Sequence, residues 1–310
     1  MVNDLTKRIS DDFPRAFPER LTRAGAFIAA QLEARGAPVI SPFELYALIC
    51  RMYQDEDRKA LYLRDPAPNA QVYVRLRNNL RKSGILMPDP DYGSRLLRVI
   101  ACPDLPADEI TCLADPACHI SHLSAMQRWG LTNRVPEALM ITRPDRAGTA
   151  RLLSQIMTRH AGGNDTPPVP LRRITHPETV RKRPVILHET KAEARCIRVR
   201  GTHARIATVG QTFLDMLLLP DACGGMAHVL ETWETHARTY AEEILATVDG
   251  CDVSLVKSRA GYILDERLGL TDPRLDRWAR LGQRGSSRKL DPSAPFAPAF
   301  SEKWMISLNA

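Results

Sequence analysis

Residues 69–100 read "NAQVYVRLRNNLRKSGILMPDPDYGSRLLRVI", and the hydrophobic period changes partway through. At 100° per residue, Val72, Tyr73, Leu76 and Leu80 fall on one side of a helix and form a stripe fit to pack on a core. Gln71, Val74, Arg75, Asn78, Arg81 and Lys82 project on the other side. Ser83-Gly84 stops the helix, "ILM" and "RLLRVI" suit two strands, and "PDPDYGS" between them forms turns. The stretch predicts a helix followed by a β-hairpin.

Two more helices precede it. Leu21, Ala24, Phe27, Ile28 and Leu32 recur at helical spacing, with Gly36 as the stop. In "SPFE", Ser41 can cap, Pro42 suits the first turn and Glu44 can reach back to the cap amide. That capping box opens a second helix running to about Gln54. Helix, helix, helix and hairpin follow one another in a winged helix-turn-helix, whose third helix enters the DNA major groove. Arg, Asn and Gln make bidentate contacts with base edges, and Lys or Arg neutralises phosphate. The expected DNA-binding residues are therefore Gln71, Arg75, Asn78, Arg81 and Lys82 on the helix and Arg95 at the hairpin. Two acidic residues, Asp89 and Asp91, argue against close phosphate contact at the hairpin tip. A small α+β domain that merely carries a basic helix shares the pattern.

The 310 residues suit two domains, each able to bury its own core. No apolar run approaches the roughly 20 residues that span a bilayer, and the N-terminal stretch lacks the apolar core of a signal peptide. A cytoplasmic protein without membrane contact is expected. The seven cysteines, scattered and odd in number, are expected to be reduced. A net charge of +7 permits an anionic partner. A second basic stretch runs through Arg143, Arg146, Arg151, Arg159, Arg172, Arg173, Arg181, Lys182 and Arg183.

Residues 119–136, "HISHLSAMQRWGLTNRVP", hold two histidines and two serines close together. Cys102, Cys112, Cys118 and His119 lack the paired spacing of zinc ligands. Ser121 or Ser124 beside His122 is a possible catalytic pair, but no strained elbow or oxyanion motif accompanies it. A helix capped by Ser121 and ended by Gly130 is the preferred reading, with a strand in "EALMIT" beyond it.

The longer stretch "ISHLSAMQRWGLTNRVPEALMIT" resembles the signature of the AbiEi family, antitoxins of type IV abortive-infection toxin–antitoxin systems. "HARIATVGQTFLDMLLLPDACGGMAHVLE" is similar to the family's next segment, although Gly210-Gln211-Thr212 stands where Glu-Arg-Thr is usual. The resemblance spans roughly residues 17–270. It implies autorepression of a two-gene operon and neutralisation of a nucleotidyltransferase toxin without a required stable complex, while the winged-helix reading supplies the expected DNA partner, an operator with an inverted repeat.

The expected organisation is α+β: a winged helix-turn-helix over 1–100, then a mixed α/β antitoxin domain over 101–310. That second domain should have a small sheet covered by helices and a Pro-rich C-terminal wrap. Arg284, Arg288 and Lys289 around Gly285-Ser286-Ser287 could bind an anion or partner, though a basic surface loop is preferred. For Asp215, Asp265 and Glu266, solvated faces or caps are the preferred reading. Nothing matches a nucleotide or metalloprotease motif, so no cofactor, metal or catalytic residue is expected. Two alternatives stand: a DNA-binding regulator without a toxin, and an enzyme modifying protein or RNA through Ser121, His122 or the Arg284–Lys289 loop.

Overall fold

A computed structural model describes residues 20–160, 167–192, 194–281 and 288–310. The chain is mixed α+β and divides into two compact units, neither of them continuous in sequence. Of the described residues, the first comprises 20–118, 143–160, 167–185 and 200–204; the second comprises 119–142, 186–192, 194–199, 205–281 and 288–310.

In the first unit, helix α1 (Arg23–Arg35) is capped by Thr22, whose hydroxyl accepts from the Gly25 amide. It ends at Gly36, which takes the left-handed conformation (φ 66°) that only glycine adopts without strain. Strand β1 (Val39–Ile40) leads into α2 (Pro42–Gln54), where the Ser41–Glu44 capping box forms in both directions. Helix α3 (Ala70–Lys82) is capped by Asn69, and strands β2 (Leu86–Asp89) and β3 (Gly93–Val99) follow. The sheet order is β1-β3-β2, antiparallel throughout. Ile28, Leu32, Leu45, Ile49, Met52, Leu76, Leu80 and Leu97 fill the core between these helices and the sheet. Three later elements complete the unit: α4 (Ala107–Ala114), α6 (Arg146–His160), and a hairpin of β6 (Thr179–Val180) with the start of β7 (Arg183–Thr190).

In the second unit, β4 (His119–Ile120) pairs antiparallel with β5 (Leu139–Pro144) and parallel with β9 (Arg205–Ala207). Strand β9 in turn pairs antiparallel with β8 (Cys196–Arg198). Short α5 (His122–Arg128) lies between β4 and β5, and its end is fixed by the Trp129 indole donating to the Ala207 carbonyl at 2.9 Å. Helices α7 (Val209–Leu218), α8 (Met226–His236), α9 (Ala241–Asp249) and α10 (Ser254–Gly261) then build a core around Phe213, Met216, Trp233 and Val248. One π-helical stretch, Tyr262–Arg267, extends α10 before α11 (Pro273–Ala279). Gly261 lies so close to Trp304 that a Cβ there would sit 2.0 Å from the indole ring.

The expected wrap takes the form of a short hairpin, β10 (Phe300–Ser301) with β11 (Ile306–Ser307). Asp265 accepts from the Trp304 indole at 3.0 Å, and Glu266 accepts from the Ser301 hydroxyl at 2.7 Å. These two carboxylates therefore anchor the C-terminal segment. Asp215 corrects the sequence reading more sharply, for it is 7% exposed and belongs to the core rather than to a solvated face. Its helix is buried on every side from Val209 to Leu217, so no face of it was left for solvent.

Candidate nucleic-acid interface

Helix α3 buries Val72, Tyr73, Leu76 and Leu80, as its period predicts. Gln71, Arg75, Asn78, Arg81 and Lys82 are all exposed on the opposite side. The Arg75 guanidinium is held 2.7 Å from Asp65 Oδ2, and this partner keeps the Asp65 carboxyl below its ordinary value. Asn78 Oδ1 accepts from the Arg77 guanidinium at 3.1 Å. Asn79, by contrast, turns back to the protein and accepts from the Thr22 amide and hydroxyl at 3.2 and 3.0 Å. The side chains exposed on the outer face are thus basic or amide-bearing, and Val74 adds a half-exposed apolar patch among them.

Arg95 is exposed but not idle: Nε donates to the Tyr92 carbonyl at 3.1 Å and Nη1 to the Thr175 carbonyl at 3.0 Å. At the tip of the β2–β3 hairpin, Asp89 Oδ1 accepts from the Asp91 and Tyr92 amides, both at 3.0 Å. Sequence reasoning missed what covers this tip. Arg181 reaches it from the β6–β7 turn, its Nη2 donating to Asp89 Oδ2 at 2.7 Å and its Nη1 to Asp91 Oδ2. The Arg181 amide also donates to Asp91 at 3.0 Å, and Nε lies 2.9 Å from Asp104. Burial opposes the Arg181 charge, but the three carboxylates more than offset it and raise its pKa.

The turn itself is strained. Arg181 (φ 49°) and Lys182 (φ 64°) both take the left-handed conformation that a two-residue type I′ hairpin requires. For residues with a Cβ this costs on the order of 1 kcal/mol each, so the carboxylate contacts hold the turn in place.

The first unit also contains a buried polar cluster. Asp115 Oδ2 accepts from Arg143 Nη1 at 2.9 Å and lies 3.2 Å from His176 Nε2, while His176 Nδ1 bonds the Tyr92 hydroxyl at 2.9 Å. Burial pushes the Asp115 carboxyl up, and bonds from His176, the Ala117 amide and Arg143 bring it below its ordinary value. Asp115, Cys118 and His176 place their ligand atoms within 4.8 Å of one another. A cation there would compete with Arg143 for the same Asp115 oxygen, so an ionic network explains the cluster better than a metal centre.

The Ser121–His122 pair does come together, with Ser121 Oγ 2.8 Å from His122 Nδ1. Ser121 sits at the N-cap position, yet its hydroxyl makes no capping bond and accepts from Thr142 at 2.8 Å. It has no exposed surface, so no substrate carbonyl can reach it. Burial lowers the pKa of His119 to about 4, with Arg205 adding to the shift. Burial likewise lowers His122 to about 3, with His188 and His119 contributing. Both imidazoles are neutral at pH 7 and serve as packing groups. Nothing in this arrangement points to catalysis.

Of the expected anion site, Arg284 lies outside the described residues. Arg288 donates to the Ser258 and Ser254 hydroxyls at 2.8 and 3.1 Å, and Lys289 to the Pro292 and Ala294 carbonyls at 2.9 and 2.8 Å. Arg288 thereby ties the C-terminal segment to α10, and Lys289 holds the carbonyls that follow it in the chain.

No family model matches the chain, and no curated protein matches it either. Among solved structures it is similar to the RV2827C protein from Mycobacterium tuberculosis. That match has a TM-score of 0.46 and 13% sequence identity, and covers 94% of each chain.

Proposed function

We propose that this chain is a DNA-binding regulator whose first unit is a winged helix-turn-helix and whose helix α3 reads operator DNA. The observation that carries the reading is α3 itself: a helix packed by one apolar stripe, presenting Gln71, Arg75, Asn78, Arg81 and Lys82 outward. The element order helix, strand, helix, helix, hairpin and the β1-β3-β2 sheet support it. The resemblance to AbiEi antitoxins extends the proposal. The operator is then an inverted repeat upstream of the chain's own operon, and the second unit counteracts a nucleotidyltransferase toxin encoded beside it, with no stable complex required.

A salt-dependent titration against the chain's own upstream duplex and a scrambled duplex of equal length tests the DNA half. Tight binding to the upstream duplex alone, falling steeply with salt through counterion release, is the expected result. Equal, weak binding to both refutes the reading. Arg75→Ala should cost about 1–3 kcal/mol at one base pair if Arg75 contacts a guanine. A uniform loss on both duplexes would make Arg75 a phosphate contact instead. Co-expression with the neighbouring nucleotidyltransferase tests the other half, through rescue of growth.

A further inference from the structure

The tip of the β2–β3 hairpin is, by its own residues, a poor neighbour for DNA. Asp89 and Asp91 lie in it and Asp104 lies beside it, and three carboxylates repel a phosphate backbone. Arg181 lowers that obstacle by one charge, from a position some ninety residues away in the chain, and Lys182 and Arg95 beside it supply the other two positive charges. The Arg181 side chain is only 13% exposed and its guanidinium is spent on carboxylates, so it is not itself placed to hold a phosphate. Lys182, the next residue of the same turn, is exposed. Arg172 and Arg173 are exposed on the segment that leads to Thr175, whose carbonyl binds Arg95 of the hairpin.

We propose that duplex DNA held by α3 also touches the β6–β7 turn, with Lys182 against a phosphate and Arg181 beneath it as the positioning residue. The inference rests on the DNA-binding reading above and extends the interface beyond the first hundred residues. Arg181 acts in two ways: together with Arg95 and Lys182 it balances the three carboxylates of the tip, and it fixes the backbone that presents Lys182. The partner is the sugar-phosphate backbone, so this contact is indifferent to sequence.

The test uses the full chain and the same two duplexes. Lys182→Ala, a surface change, should reduce the slope of log K against log salt by about 0.9 on either duplex, the signature of one lost phosphate contact. Arg181→Gln should weaken binding about tenfold or more, and Asp91→Asn in that background should recover most of the loss. Should Arg181→Gln fail to fold, Asp91→Asn in the wild-type chain carries the second arm. It keeps an oxygen for the Arg181 amide while removing one charge, and should tighten binding about two- to threefold. A Lys182→Ala slope equal to wild type, or no gain from Asp91→Asn, overturns the inference and leaves the α3 reading standing. A wild-type chain that binds neither duplex removes both.

Discussion

Asp215→Asn should change sign in its effect on stability between acid and alkaline pH. One carboxyl oxygen of Asp215 accepts from Gln211 Nε2 at 2.8 Å, whereas Oδ2 is buried without a hydrogen-bond partner among the described residues. Burial drives its pKa from an ordinary value of 3.8 to about 7, despite the Gln211 bond, which lowers it. Below 3.8 the carboxyl is protonated in both the folded and unfolded chains. Between 3.8 and 7 the unfolded chain releases its proton while the folded chain keeps it, so stability falls by about 1.4 kcal/mol per pH unit. Across that window the loss is on the order of 4 kcal/mol, and above it stability no longer responds to this group.

An asparagine carries no charge at any pH and retains an acceptor for Gln211. It also brings two N–H donors into the core, and leaving them unpaired costs roughly 1–3 kcal/mol. The variant should therefore be less stable than wild type near pH 4 and more stable near pH 8. Urea unfolding of both chains across that range gives the difference directly. Contributions from His119 and His122, whose folded pKa values are also lowered, are common to both and cancel. A stability difference that stays constant with pH would refute the buried, protonated state of Asp215.

Two further changes test the packing described above. Gly261→Ala places a methyl into the Trp304 ring, and overpacking of this kind costs about 1–3 kcal/mol, against which the gain in helix propensity is about 1 kcal/mol. Thermal unfolding should show a drop of a few degrees, and an unchanged midpoint would mean that the C-terminal segment yields easily. Ser41→Ala removes half of the capping box, leaving the bond from the Ser41 amide to Glu44, and should cost about 1 kcal/mol in denaturant unfolding.

The elements that were legible are those whose signal is local. The α3 stripe, the Ser41–Glu44 box and the Gly36 stop all lie within a few residues of the structure they produce, and their residues sit where the period puts them. Strand β1 was not legible because two residues, Val39 and Ile40, cannot display a period; only their partners Arg98 and Leu97 define them. Burial of Asp215 left a trace that was readable in principle. "TFLDMLLL" is apolar on both sides of the aspartate, and a helix apolar all round is a buried one. The commonest role of a carboxylate in a helix is that of a solvated group, and that role outweighs this trace in a reading of the sequence. The Arg181 clamp left no trace, since nothing in "TVRKRP" specifies three carboxylates in the region of residues 89–104.

That clamp bears on where the chain can be cut. A boundary at residue 100 follows the end of the hairpin, but the first unit also draws on residues 143–185 and 200–204. Tyr92 is 1% exposed, and its hydroxyl is held by His176. The Asp89 side chain has no exposed surface and is paired with Arg181. A fragment of residues 1–100 keeps the cluster of Ile28, Leu32, Leu45, Ile49 and Leu80, so its three helices should still form. Its hairpin tip would lose Arg181, His176 and the Thr175 carbonyl together. Removing one partner of a buried ion pair costs about 3–5 kcal/mol when the other charge stays buried. In the fragment, Asp89 can escape that cost only by turning the tip out to water. Amide exchange should therefore show the tip amides of Asp91 and Tyr92 protected in the full chain and open in the fragment, with the α1–α3 core protected in both. Equal protection of those two amides would mean that the hairpin holds its own shape, and that Arg181 answers the acidic tip without shaping it.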